Sequence, residues 1–571
     1  MHFRHIEGVG GGWGGLPAAI RSLPVTDLPT DPVAFPDLDD EQMAIVQELG
    51  TRRRTHAGEV LFSPADDHYD WMVVLSGLVE IVGPHDHVII RHGARRFLGE
   101  VSLVTRQRPY LSARVIEPGE VVVVPADVFR SRVLTDVRLS DTVLKAFLAR
   151  RILLMAAAAD TLRIIGSEFT PASMALREYA ARNRLPHQWI DADDEADVAT
   201  LLEGMNVTAA DLPIVITQRG LLRRATPGDL AFELGLTADA LPNRCYDLVV
   251  VGAGPAGLAA AVYGASEGLR TLTVDSVAIG GQAATSSRIE NYLGVPTGIS
   301  GQDLASAASI QAQKFGAVIT SPCAVTSLDE VAGHLVATLS DGTQVAGRAL
   351  VAATGAHYRK LPIANLEHYE MAGVYYAATE LEARQCAGAH AVVVGGGNSA
   401  GQAAMFLAEK ASSVCIVVRR PLDATMSKYL IDRIESHPHV QVRVGTTVTA
   451  LAGEPTLERA TFATPDGELD VDCTALFSFI GAEPNSSWLA GVAVDEHGFV
   501  LTDRALDQVA LGEAWTAMGR GPLPYETSRP GLFAVGDLRS GSTKRVAAAV
   551  GEGSAAVRSV HEHLAMTPAA A

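Results

Sequence analysis

The chain has 571 residues, about four domains at roughly 150 each and too many for one hydrophobic core. Hydrophobic residues make up 48% and charged residues 19%, a balance that excludes disorder as the main state. The formal net charge of −19 has the wrong sign for gripping phosphate backbones, so no nucleic-acid partner is expected. The cysteines number five, odd and sparse, which excludes a disulfide scaffold and makes the cytoplasm the expected compartment. The start is glycine-rich from Gly8 to Gly15 and reads as no export signal. The uncharged stretch Leu248 to Ser266 approaches membrane-span length, but its glycines and proline fall at a strand-to-helix turn, so no membrane partner is expected.

Residues 1–40 are rich in Gly, Pro and Asp and read as a flexible leader before a helix-like stretch, Asp40 to Leu49. From Gly58 to Pro125 come short β-type runs, Trp71 to Leu75, Leu78 to Val82, His87 to Arg91 and Glu120 to Val124, which predict a β-barrel or jelly roll. A long apolar helix from about Arg138 to Ala159 closes this first unit, 41–160. Residues 161–238 alternate: strand Leu162 to Ile165, helix Pro171 to Arg184, strand Gln188 to Asp191, helix Glu195 to Met205, then Leu212, Pro213 and strand Ile214 to Thr217. They predict a small α/β domain, with Asp239 to Arg244 as a linker after it. From Tyr246 onward strands and helices alternate as in Rossmann-type units, and two glycine-rich strand-to-helix turns stand about 140 residues apart. The fold class is multidomain α/β with an N-terminal β-barrel.

The first turn follows strand Asp247 to Val251 and reads Gly252, Ala253, Gly254, Pro255, Ala256, Gly257, with Asp275 ending the next strand 23 residues after Gly252. Gly252 allows a tight turn, Gly254 lets backbone approach a pyrophosphate, and Gly257 packs the helix whose N-terminus favours negative charge. Asp275 would accept from a ribose hydroxyl. The segments GGQ from Gly280, IENYLG from Ile289, ATG from Ala353 and PGLFAVGD from Pro530 follow in order. Together these resemble low-molecular-weight thioredoxin reductases of the pyridine-nucleotide disulfide oxidoreductase superfamily, over about Tyr246 to His563. The resemblance implies an FAD-binding domain at 245–361 and 480–571. Its cofactor-binding residues would include Gly281, Gln282, Asn291, Thr354, Gly355, Gly536, Asp537, Val546 and Ala547, with Asp537 on the flavin ribityl chain.

Strand His390 to Val394 leads into the second cradle, Gly395, Gly396, Gly397, Asn398, Ser399, Ala400 and a helical run. The next strand, Ser413 to Val418, ends in Arg419 and Arg420 where an acid would read a ribose hydroxyl. Guanidinium suits a 2′-phosphate, so NADPH is expected over NADH, with a solvated strand end as the bland alternative. In the resembled family this NADPH domain, here 362–479, is inserted between the halves of the FAD domain.

That family passes electrons to a Cys-x-x-Cys pair just before the NADPH cradle. Here the stretch reads GVYYAATE, with Ala377 and Glu380 at the cysteine positions, and no Cys-x-x-Cys occurs in the chain. Cys386 lies six residues beyond, unpaired in sequence; Cys415 and Cys473 sit in apolar strand runs and read as core. The small α/β domain resembles thioredoxin or glutaredoxin domains in element order, Pro213 standing where their proline is commonly cis. Its turn Ser167 to Ser173 has no cysteine, which leaves a docking or structural module, or an unrelated α/β spacer. In the barrel, Gly99, Glu100, Arg108, Ser112 and Ala113 resemble the phosphate cassette of cyclic-nucleotide-binding domains. Glu100 would take the ribose hydroxyl and Arg108 the cyclic phosphate, but Arg108 stands one position early, with Pro109 in the family's arginine position. A cyclic-nucleotide partner and a structural or dimerising barrel both remain open. The closing helix would pair with its copy in a homodimer, as in cyclic-AMP receptor transcription factors.

The sequence thus predicts an FAD-dependent NADPH oxidoreductase in which the flavin carries the chemistry and no catalytic side chain or metal is named. Its unknown acceptor would be an external disulfide, a quinone, oxygen or a redox protein. The alternatives are thioredoxin-disulfide reduction through an unrecognised thiol and a cyclic-nucleotide or redox sensor with little turnover.

Overall fold

The computed structural model describes residues 31–567 apart from 84–85, 158–161, 168–169, 184, 186, 194–201, 203–204, 206, 218, 235, 237–244, 287, 371–372, 377, 379, 455, 507–510 and 512. Contacts divide the chain into two compact units, Met1–Leu241 with Ile310–Pro322, and Pro242–Ser309 with Cys323–Ala571.

In the first unit, α1 (Asp40–Leu49) precedes six antiparallel strands: β1 (Thr51–Arg54), β2 (Val60–Phe62), β3 (Trp71–Val82), β4 (Val88–His92), β5 (Phe97–Leu98) and β6 (Ser112–Val124). They run in the order β1-β6-β3-β4, with β2 on β6 and β5 on β3. The two sequence runs around Gly77 form one strand that kinks there, where φ is +87° and a Cβ would lie 2.5 Å from Glu117 O. A short helix, α2 (Ser102–Thr105), bridges β5 and β6, and α3 (Ser140–Ala157) packs against the sheet. Phe147 of α3 packs 5.9 Å from Phe97 and from Phe129, and Trp71 completes the aromatic core. The expected flexible leader is corrected over its described part: Ala34, Phe35 and Leu38 are buried, Leu38 within the core of the six-stranded sheet.

The small α/β domain has β7 (Arg163–Gly166), α4 (Pro171–Arg182), β8 (Gln188–Asp191), β9 (Ile214–Thr217), β10 (Gly220–Leu222) and α5 (Pro227–Glu233). Its sheet order is β10-β9-β7-β8, with β7 and β8 parallel and the other pairs antiparallel. Leu176, Tyr179, Val215 and Leu230 form its core, and the Leu212–Pro213 bond is cis. The expected helix Glu195 to Met205 falls largely outside the described residues, as does the Asp239 to Arg244 linker.

Two of the sheets of the second unit carry the cradles, one of seven strands and one of five. In the first, β11 (Tyr246–Val251) lies parallel between β12 (Thr271–Val274) and β15 (Gln344–Ala352), and the antiparallel strands β13 (Val325–Val331) and β14 (His334–Leu339) extend the β15 edge. The second sheet is all parallel, in the order β16 (Val374–Tyr375), β20 (Ala475–Ser478), β17 (His390–Val394), β18 (Ser413–Val418), β19 (Val440–Val444). Strand β21 (Leu532–Ala534) returns to pair with β15, so the second sheet is an insertion into the first fold. Burial on both faces explains the continuous Val, Leu and Ala runs of β11, β17 and β18. No helix among the described residues is long and apolar enough to cross a membrane.

Candidate functional site

The first cradle joins β11 to α6 (Pro255–Ser266), which starts with proline at its first position after Gly254. Gly252 has φ +105°, and a Cβ there would meet Ala353 O at 2.3 Å. A Cβ on Gly257 would lie 1.8 Å from Gly252 O, so helix and turn touch backbone to backbone. Gly254 differs: an added Cβ would meet only Gly281 Cα, at 3.9 Å, leaving open space before the helix N-terminus.

The other expected flavin residues gather around this opening. Gly280 N donates to Ala253 O at 2.7 Å, bringing Gly281 and Gln282 beside the turn, and Gln282 Nε2 donates to Ala356 O. Thr354 Oγ1 donates to Asn485 O at 2.7 Å, so Thr354 and Gly355 are pinned to the returning chain. Asn291 stands exposed in the loop after Ile289. Gly536, with φ +69°, abuts the first turns of both α6 and α9 (Val546–Met566), its built Cβ being 2.9 Å from Ala256 Cβ and 3.8 Å from Ala549 Cβ. Val546 and Ala547 begin α9, so the two helix N-termini and Gly536–Asp537 share one neighbourhood. Asp537 is half-buried, its carboxylate receives no hydrogen bond among the described residues, and burial raises its pKa while nearby Lys544 opposes the rise. Such a group suits hydroxyl donors from a polyol chain.

Asp275 has more work than the sequence assigned to it. Its carboxylate accepts from the amides of Ala253 at 2.7 Å, Val277 at 2.9 Å and Ala278 at 3.0 Å, so it orders the glycine turn itself. Sequence reasoning missed Glu552 on α9. This buried carboxylate accepts from Gly536 N at 2.7 Å, Arg539 Nη2 at 2.7 Å and Ser542 Oγ at 2.8 Å, and thereby holds the loop carrying Asp537. An acid set among the small residues of the first half of α9 was the available signal.

In the second cradle β17 turns at Gly395, φ +137°, into α7 (Asn398–Leu407). A Cβ on Gly397 would meet nothing within 4 Å, whereas one on Gly395 would strike Phe479 O at 2.3 Å. Asn398 Oδ1 accepts from Ser427 N at 2.7 Å, tying this turn to the start of α8 (Lys428–Ser436). Ser399 is exposed and Ala400 buried under the sheet. Arg419 and Arg420 follow β18, both exposed and without an ion pair among the described residues. Both cradles therefore fit dinucleotides: each offers a helix N-terminus, an uncrowded glycine and, in the second, free cations.

All five cysteines are free thiols. Cys386 is fully buried with its thiol donating to Ala383 O at 3.4 Å, so the exposure a reactive thiol needs is missing. Burial raises every thiol pKa, that of Cys323 to about 11 and of Cys473 to about 12. Cys473 is core as expected, and Cys415 packs against the same cluster. Ala377 lies outside the described residues, and Glu380 opens a helix, Glu380–Gln385.

In the N-terminal β domain, Gly99 and Glu100 line a cavity, but Arg108 does not. Its guanidinium turns to the small α/β domain, donating to Glu233 O at 2.6 Å and pairing with Asp67 at 2.9 Å. The expected phosphate contact is corrected accordingly: Pro109 in the family's arginine position leaves the neighbouring guanidinium directed out of the cavity.

The two cradles, the inserted second sheet and the returning strand define a two-dinucleotide flavoprotein fold. The chain belongs to the pyridine nucleotide-disulphide oxidoreductase family, whose description matches residues 246–553, and residues 52–136 match the cyclic nucleotide-binding domain. It is similar to thioredoxin reductase of Treponema pallidum, 32% identical over 56% of this chain and 97% of that protein. It is also similar to the bifunctional thioredoxin reductase/thioredoxin of Mycobacterium leprae, 31% identical over 58% of this chain and 68% of the other. Among solved structures, Lactococcus lactis thioredoxin reductase in its FR conformation matches with a TM-score of 0.50 and 25% identity, over 56% of this chain and 99% of that one. Thioredoxin reductases use FAD and NADPH, and the chain is an oxidoreductase of this type.

Proposed function

We propose that the chain is an NADPH-dependent flavin oxidoreductase that passes electrons to an acceptor other than an internal dithiol. FAD, held by the first cradle, would supply the redox chemistry between NADPH and the acceptor. Residues Gly252, Gly254, Gly257, Gly281, Gln282, Asn291, Thr354, Gly355, Val546 and Ala547 would shape its seat, with Pro255 and Ala256 in the first helical turn. The Asp275 carboxylate orders the pyrophosphate turn, and Asp537 would accept from the ribityl hydroxyls. Gly395, Gly397, Asn398, Ser399 and Ala400 would cradle the NADPH pyrophosphate, and Arg419 and Arg420 its 2′-phosphate. The observation that carries the reading is the thiol inventory: five free cysteines, none in a Cys-x-x-Cys and each with its pKa raised by burial.

The thioredoxin-like strand order of residues 161–238 supports a docking module without redox chemistry of its own. Names of the relatives favour a second reading, thioredoxin-disulfide reduction through an unrecognised thiol. NADPH oxidation is to be followed with a thioredoxin, a quinone, ferredoxin and oxygen in turn. Turnover with a non-disulfide acceptor that survives Cys386→Ser supports the first reading; thioredoxin reduction abolished by one Cys→Ser change overturns it.

A further inference from the structure

The chain leaves the first sheet of the second unit after β15 and returns to it at β21, and both crossings run through one two-stranded ribbon, Ala356–Tyr358 antiparallel with Ala482–Pro484. His357 stands opposite Glu483 across the ribbon, its Nε2 3.3 Å from Glu483 Oε2. Asn485 is the first residue beyond the ribbon. Its N–H donates to Gly355 O at 3.0 Å, and its carbonyl accepts from Thr354 Oγ1 at 2.7 Å and from Trp488 Nε1 at 3.1 Å. Its side-chain Nδ2 donates to Thr354 O at 3.1 Å, while Oδ1 accepts from His357 Nδ1 at 2.9 Å. A carbonyl cannot donate, so the Thr354 contact fixes which way the amide points and leaves Oδ1 for the imidazole. The Thr354–Gly355 turn lies outside helix and strand and bends at Gly355, φ +63°, so these bonds hold its shape.

We propose that Asn485 is a positioning residue for the flavin reaction: its Nδ2 arm sets the Thr354–Gly355 turn at the flavin seat, and its Oδ1 arm sets the ribbon that carries the NADPH cradle. The proposal rests on the flavin reading above, in which Thr354 and Gly355 shape the seat. The two arms do separate work. Loss of the Thr354 arm loosens the seat and weakens FAD binding. Loss of the His357 arm leaves the seat intact but lets the ribbon, and with it the cradle, drift from the distance and angle that hydride transfer needs. None of the bonds of Asn485 reaches the Gly395–Ala400 turn, so NADPH affinity is not altered.

Flavin fluorescence released on dilution of the full chain gives the FAD dissociation constant, and anaerobic stopped-flow bleaching over a range of NADPH concentrations gives the limiting rate and the half-rate concentration. In Asn485→Ala the FAD dissociation constant rises about fivefold to tenfold and the limiting rate falls about tenfold. Asn485→Asp keeps the acceptor for His357, so it weakens FAD by the same factor with a rate within about threefold of the parent. His357→Ala slows bleaching while FAD affinity stays within about twofold, and the half-rate NADPH concentration stays within about twofold in all three. Should Asn485→Ala fail to fold, Asn485→Asp and His357→Ala decide. Parental FAD affinity and rate in Asn485→Ala, loss of FAD affinity without slowing in His357→Ala, or a half-rate NADPH concentration that shifts as much as the rate overturns the proposal. A parent chain that binds no FAD overturns the flavin reading beneath it.

Discussion

Replacing Glu552 by alanine removes the acceptor that holds the Asp537 loop against α9. Glu552 is 8% exposed and receives hydrogen bonds from Gly536 N, Arg539 and Ser542. The variant leaves the Arg539 guanidinium, whose side chain is only 19% exposed, without its carboxylate and Gly536 N–H without an acceptor. Breaking one side of a buried pair costs about 3–5 kcal/mol, and the orphaned amide overlaps with that figure because the same loop relaxes. For a unit of roughly 300 residues, with an unfolding entropy of about 2.1 cal/mol/K per residue, the loss lowers Tm by about 4–8 °C. Scanning fluorimetry gives the Tm, and the ratio of flavin to protein absorbance gives the FAD content, which falls because Asp537 is no longer positioned. Glu552→Gln keeps the shape and an acceptor for Gly536, and loses about half as much. A Glu552→Ala protein that melts within about 2 °C of the parent and purifies with full flavin refutes the reasoning.

The glycines separate folding from binding: Gly257→Ala, with its Cβ 1.8 Å from Gly252 O, yields no folded flavoprotein, whereas Gly397→Ala keeps its Tm but raises the KM for NADPH more than about tenfold, both read by melting and steady-state kinetics. Arg419→Ala with Arg420→Ala raises the NADPH KM by about 10–100-fold and leaves NADH kinetics nearly unchanged. Cys386→Ser retains NADPH-driven turnover and loses about 1 kcal/mol of stability in urea titration, because its hydroxyl replaces a thiol in a fully buried site. Burial holds the His563 imidazole below its ordinary value of 6.5, so its contribution to stability is full above that pH and is lost as the pH falls below it. His563→Gln therefore flattens the fall in Tm below about pH 6.5.

Both dinucleotide turns were legible because their glycines answer local backbone demands that composition cannot hide: strands β17 and β18 begin and end where the alternation of apolar runs and Gly or Arg placed them. The element order of the small domain was legible for the same reason, from short apolar runs bounded by Pro and Asp. Partners separated by long stretches of chain were not. Glu552 acts on Gly536 across a turn and two helix ends, and Arg150 reaches Ala34, 116 residues away. Arg108 was read as a phosphate ligand because its neighbours match a cassette, but its direction is set by Asp67 and Glu233, from two other segments. Phe35 and Leu38 looked like leader because a segment buried outside helix and strand needs no periodicity of its own.

Anaerobic titration of the purified protein with NADPH, followed by the flavin absorbance, tests the central claim most directly. An enzyme without an internal dithiol is bleached by a single equivalent of NADPH per flavin, and Cys→Ser variants titrate identically. A requirement for two equivalents, reduced to one by any single Cys→Ser change, would reveal an internal redox-active thiol pair and contradict the account.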